Sequence, residues 1–173
     1  MNKSLKRWMI IAMLMAMATV LSYLESFIPV FIPGVKLGLA NVIILIMLYE
    51  FKFYEAGIVD LLRILVVALI RGTLMTPTFL MSLSGGILSY IVMLIFSRIK
   101  VFSPIGVSVL GSISHSIGQI IVVIIIINLD AVLYYLPFIL VLSLATGILS
   151  GFITKEYLKR SITKNILENA DGA

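Results

Sequence analysis

The sequence holds no cysteine and only one histidine, His115. Without thiols there is no disulfide, no thiolate nucleophile and no sulfur ligand, and a lone imidazole cannot complete a zinc site. Charge is sparse as well: 12% of the residues are charged, where ordinary globular chains carry about 25%. Aspartate occurs only at Asp60, Asp130 and Asp171, so no aspartate cluster is available to hold Mg²⁺. No phosphate-binding glycine loop, nucleophile elbow or H-E-x-x-H sequence is present. These absences remove autonomous ATP hydrolysis and the familiar metal and covalent chemistries, and the reading expects neither a cofactor nor a catalytic residue.

What is present is apolar. Hydrophobic residues make up 61% of the chain, and the mean hydropathy is +1.19. So much apolar area leaves too little polar surface to cover a soluble core, which makes lipid the natural solvent. Apolar runs fall at residues 8–28, 37–51, 56–70, 79–96, 104–128 and 131–153, separated by short turns. A span takes about 20 residues, so six of them leave no room for a soluble domain. The expected fold is all-α: one polytopic membrane domain over residues 1–173, a six-transmembrane-helix bundle with a polar tail at 155–173.

The basic residues are read first as topology signals rather than as a nucleic-acid surface, despite an isoelectric point near 9.6. With the N-terminus cytoplasmic, the inner side collects Lys3, Lys6, Arg7, Lys52, Arg98, Lys100, Lys155, Lys159, Arg160 and Lys164. The outer side receives Lys36 and Arg71, and Arg63 falls within a span. This bias predicts N-in, C-in in a cell membrane. A secretory signal ending near Ala16-Met17-Ala18 is the competing reading, but the apolar stretch runs past that point to a spanning length.

Polar groups inside a bilayer are costly and mark pairs or cavities. Asp60, Arg63, Val67 and Arg71 share one face of the third run, and Asp60 and Arg63 are expected to pair as a structural clamp or to couple to a partner. Arg71, beside the hydroxyls of Thr73 and Thr76, suits a phosphate or carboxylate, or else snorkels to headgroups or pairs with Glu25 near the outer end of the first run. Lys36 has the same ambiguity. Ser112, His115, Ser116 and Gln119 form one polar face on the fifth run, read either as packing or as ligand contact. Small residues, Ser82, Gly86 and Ser89 on the fourth run and Ser143, Gly147, Ser150, Gly151 and Thr154 on the sixth, are the usual means of close helix packing in lipid. Ala12 and Ala16 make an A-x-x-x-A pair on the first.

The segment Lys36-Leu37-Gly38-Leu39-Ala40-Asn41, then Arg63, then Ser82-Leu83-Ser84-Gly85-Gly86-Ile87-Leu88-Ser89, resembles the heptaprenyl diphosphate synthase component I family, also called the Gx transporter family. That family is similar in turn to the substrate-binding S-components of energy-coupling factor (ECF) transporters. The resemblance implies six membrane helices, a small-molecule pocket near the outer face closed by the loop after the first helix, and energising partners: a membrane T-component and cytoplasmic ATPases. It also implies that Ala12 and Ala16 face the T-component. Lys36, Asn41, Arg71, Thr73, Thr76, His115 and Gln119 are then the expected substrate-binding set, beneath a lid stiffened by Pro29 and Pro33. The leading expectation is a non-catalytic capture subunit of an importer for a vitamin-like or isoprenoid- or quinone-related molecule. A membrane subunit of polyprenyl diphosphate or quinone biosynthesis, and a solitary facilitator, are the alternatives.

Overall fold

The structure, a computed structural model, describes residues 3–27, 38–127 and 132–160. Within them it is all-helical: α1 (Lys3–Glu25), α2 (Asn41–Glu50), α3 (Phe53–Ile70), α4 (Pro77–Ser97), α5 (Pro104–Val122), extended by a π-helical turn at Val123–Ile127, and α6 (Val132–Arg160). Four stretches, in α1, α4, α5 with its π turn, and α6, are long and apolar enough to cross a membrane. The 18-residue α3 is long enough too, but carries Glu55, Asp60 and Arg63. The expected lid at residues 28–35, Lys36, the turn with Asp130, and the tail from residue 161 lie outside the described residues. Lys155–Arg160, assigned above to the tail, continue α6 as helix.

The second helix departs most from its apolar run. Only Asn41–Glu50 is helical, ten residues, or about 15 Å, half the thickness of a hydrocarbon core. Gly38 explains the late start, because its φ of +83° lies in the left-handed region that breaks a helix and favours glycine. Every residue of α2 from Asn41 to Leu48 is buried, as suits a helix that is apolar all round. Its Ile43, Ile44, Leu45, Met47 and Leu48 build the main core with Ile11, Leu14 and Ala18 of α1 and Ala56 and Val59 of α3.

The other half of the bundle is held by small residues. A Cβ on Gly151 of α6 would fall 2.5 Å from the Ile105 Cα, and one on Gly147 would fall 2.8 Å from the Val109 Cα. On α5, a Cβ at Gly118 would meet the Ser84 carbonyl oxygen of α4 at 2.8 Å. Backbones approach this closely only where side chains are missing, so α4, α5 and α6 form a tightly seamed layer. Hydroxyls fasten the same seam: Ser84 donates to the Gly118 carbonyl at 2.7 Å, and the Ser116 and Ser143 hydroxyls lie 2.5 Å apart.

One end of the bundle is basic. Arg7 of α1 reaches Glu55 at the start of α3, with nitrogen–oxygen distances of 2.7 and 3.0 Å, which brings the two helix starts together. Lys52, Arg98, Lys100 and the last turns of α6 lie at this same end by the antiparallel packing. Burial pushes the Glu55 carboxyl up, but the Lys52 N–H and the Arg7 guanidinium outweigh it and hold the group below its ordinary 4.5. A carboxyl held low stabilises the fold above its ordinary value, and that contribution is lost as pH falls through the folded value. Thermal unfolding in detergent should therefore show wild type losing stability toward pH 4 and below, with a visibly flatter profile for Glu55→Gln; identical profiles would count against the pairing.

Candidate functional site: a buried polar network

A network of buried polar side chains from α2, α3 and α4 meets at the start of α2. Arg63 of α3 donates through Nε to the Asp60 carboxylate at 2.8 Å and approaches it through Nη2 at 2.6 Å. The same Nη2 donates to the Asn41 side-chain oxygen at 3.1 Å, and the Asn41 amide nitrogen donates to the Ser89 hydroxyl of α4 at 2.9 Å. Asp60, Arg63 and Asn41 are each 3% exposed, so these bonds are shielded from solvent. The ion pair expected from i, i+3 spacing is present, and it is one part of this network rather than a separate clamp.

The backbone before α2 is held from the other side. Glu25, in the last turn of α1, accepts from the Gly38 N–H and, at 3.2 Å, from the Leu39 N–H. Those N–H groups precede the helix and have no helical partner, and a carboxylate near a helix start is also favoured by the helix dipole. A side chain at Gly38 would press on the Asn41 amide at 3.0 Å and come within 3.7 Å of the His115 ring. At Gly85 of α4 it would meet the His115 carbonyl oxygen at 2.8 Å and Gln119 at 2.9 Å. At Gly86 it would reach the Asp60 carboxylate at 3.4 Å. His115, Gln119, Ser112 and Ser116 are all buried on α5, as their shared face predicts.

The expected substrate-binding set thus divides. Asn41 belongs to the network, and His115 and Gln119 lie beside it, close to Gly38 and Gly85. Arg71, Thr73 and Thr76 lie in the turn between α3 and α4, where Arg71 is exposed and the Thr76 hydroxyl donates to the Thr73 carbonyl at 2.6 Å. Arg71 is eight residues beyond Arg63, about 12 Å along the helix. With Thr73 it lines a small cleft that also includes Phe79 and Ser82, with room for about one water. Lys36 lies outside the described residues. Ala12 and Ala16 are exposed on α1, among Met9, Met13, Met17 and Val20, on the side of the helix away from the buried Ile11, Leu14 and Ala18.

Glu25 and Ser89 belong to the network, although sequence reasoning gave them lesser parts: one as a partner for Arg71, the other as packing. The usable signal for Glu25 is that an ionisable residue inside an apolar helix seldom lacks a purpose. Among the described residues no group of three His, Asp or Glu side chains is placed to share a metal ion.

The segments that meet here are the two singled out in the sequence: Gly38 and Asn41 from K-L-G-L-A-N, and Gly85, Gly86 and Ser89 from the glycine-containing block of α4. The sequence model of the heptaprenyl diphosphate synthase component I family matches residues 14–157 of the 173. The chain belongs to that family. Its matched part runs from the middle of α1 to near the end of α6, so it includes the whole network of this component I protein. The description "component I" also implies a second component. No curated protein and no solved structure gives a significant match.

The charges of the network limit what it can hold. Among the described residues it contains two carboxylates, Glu25 and Asp60, and one guanidinium, whose bonds go to Asp60 and Asn41. An isolated anion placed in so apolar an interior needs uncommitted donors to replace its water. The component I network therefore suits a neutral hydrogen-bonding group better than a phosphate.

Proposed function

We propose that this component I protein is a non-catalytic membrane subunit that binds a small molecule and works through partner proteins. The observation that carries the reading is the network itself: ionisable and amide side chains from four helices, buried in an apolar bundle. Intramembrane ionisable groups of this kind mark ligand or ion sites more often than they serve stability. The basic end faces the cytoplasm, giving N-in, C-in, with α2 as a half-length pass in a six-helix arrangement. The leading form of the proposal is an S-component-like capture subunit of an ECF-type importer, energised by a T-component and ATPases. Exposure of Ala12 and Ala16 on α1 supports it, because a small-residue strip on a lipid-facing helix lets a second membrane helix approach.

In cells that carry the partner subunits, Ala12→Trp/Ala16→Trp should abolish uptake of the transported molecule while the purified variant retains whatever small molecule co-purifies with wild type by mass spectrometry. Undiminished uptake would refute the coupling surface.

The family description favours a second reading, a membrane subunit that anchors or assists a soluble prenyl-chain synthase. Reconstitution separates the two. Chain elongation that depends on adding this protein supports the second, and elongation indifferent to it supports the first.

A further inference from the structure

An apolar groove of about 470 Å³ runs between α1, α2 and α6, lined by Ile10, Met17 and Leu21 of α1, Ile43 and Ile46 of α2, and Ile153 of α6. Met17 and Ile153 are about half exposed, so the groove opens sideways, toward the space that lipid fills around a bundle. Its length decides what can lie in it. Along α1 it extends from Ile10 to Leu21, about 16 Å of helix. That is one leaflet's share of a hydrocarbon core about 30 Å thick, where a crossing helix of a partner would need the whole. The volume is about three times that of an apolar cavity able to hold one benzene ring, which matches a single acyl chain on the order of 16–18 carbons.

At the basic end of the bundle the floor of the groove leads to a carboxylate. Glu50 follows Ile46 by four residues and Ile43 by seven, on the same face of α2. Its Oε2 is buried and has no hydrogen-bond partner among the described residues. The cations nearest in the fold are engaged elsewhere: Arg7 pairs with Glu55 at 2.7 Å, and the Lys52 ammonium lies 5.6 Å from the centre of the Tyr54 ring. Glu50 is also the last residue of α2, where the helix dipole opposes a negative charge. A buried carboxylate oxygen without a donor is costly, so the stability of the fold does not account for it, whereas a cationic donor from an occupant of the groove does. Lys6 continues the α1 wall in the same way, four residues before Ile10 and half-buried. The mouth of the groove thus offers one carboxylate and one ammonium.

We propose that this groove is a site for a phospholipid with a primary-ammonium head, its ammonium on Glu50, its phosphate on Lys6 and one acyl chain along α2. A primary ammonium brings three N–H donors and a charge to the carboxylate, a charge-assisted contact. A trimethylammonium head has the charge but no donor, and a glycerol head has donors but no positive charge. The lipid completes the wall that the half-length α2 leaves open between α1 and α6. The proposal is independent of both functional readings above, since an importer subunit and a synthase subunit stand equally in the bilayer.

The test is titration of the delipidated full-length protein in detergent with phosphatidylethanolamine, phosphatidylcholine and phosphatidylglycerol of identical chains, read by native mass spectrometry and by thermal unfolding. Phosphatidylethanolamine should bind about tenfold more tightly than the other two, the worth of one hydrogen bond to a charged group, and should raise the unfolding midpoint most. Glu50→Gln should bring the three lipids level, while the lipid-free variant unfolds no earlier than wild type, because the carboxylate it replaces is unpaired. Lys6→Gln should weaken all three alike through the shared phosphate. Ile46→Trp, which fills the groove, should abolish binding, and if it fails to fold, Met17→Trp fills the same groove from α1. Equal binding of the three lipids by wild type overturns the proposal, as does a preference that survives Glu50→Gln or a groove-filling variant that binds normally. A marked loss of stability in lipid-free Glu50→Gln overturns it too, by showing that the carboxylate serves the fold. Loss of a co-purifying membrane subunit on Glu50→Lys, with no preference among lipids, would give the groove to a partner's basic helix instead.

Discussion

Arg63→Ala should be the most damaging single substitution in this protein. It removes the cation between Asp60 and Asn41, leaving a carboxylate that is 3% exposed with no counter-charge among the described residues and the Asn41 oxygen without its donor. Breaking a buried pair by deleting one partner costs about 3–5 kcal/mol, because the survivor keeps its desolvation penalty. In detergent this should appear as a lowered unfolding midpoint or as loss of the monodisperse peak in size-exclusion chromatography. The double variant Asp60→Leu/Arg63→Met should recover much of that stability, since a buried pair replaced by apolar side chains is often neutral. It should nonetheless lose any ligand the network holds. A single variant as stable as wild type would mean that the pair is not desolvated as described.

Gly151→Leu and Gly118→Leu should come next, through the seam of α4, α5 and α6. The atoms that meet a new Cβ at these positions are backbone: the Ile105 Cα at 2.5 Å from Gly151, and the Ser84 carbonyl oxygen and Gly85 Cα at 2.8 and 2.9 Å from Gly118. Backbone cannot rotate aside, so whole helices must separate, at a cost of about 1–3 kcal/mol or more. Gly106→Ala is the internal control, because its nearest neighbour, a Phe102 ring carbon, is 3.5 Å away, an ordinary contact. Equal thermal stability of Gly106→Ala and Gly151→Leu would refute the seam.

Hydropathy made most of the helices legible, since membrane helices announce themselves by length and apolarity. It overstated the second because Leu39 and Ala40 are as apolar as the helix they precede. Nothing local shows that Glu25, from the previous helix, holds the Gly38 and Leu39 N–H groups. The Asp60–Arg63 pair was readable because i, i+3 partners meet on any helix. Its extension to Asn41 and Ser89 was not, because that contact depends on how deep α2 starts. Arg71, Thr73 and Thr76 are neighbours in sequence and share one turn, in which the Thr76 hydroxyl donates to the Thr73 carbonyl.

The same α3 charges bear on how the chain reaches the bilayer during synthesis. In the six-helix arrangement proposed above, an Asp and an Arg near the middle of α3 disfavour its insertion by about 5–7 kcal/mol before their mutual pairing is counted. Asp60 on α3 itself pairs with Arg63, and the further groups that relieve Arg63 and Glu55 sit on earlier helices, Asn41 on α2 and Arg7 on α1. In that arrangement insertion of α3 is favoured when α1 and α2 are already in place or enter together with it. The half-length α2 then offers a docking post to its successor, carrying an amide that gives the Arg63 guanidinium a second partner.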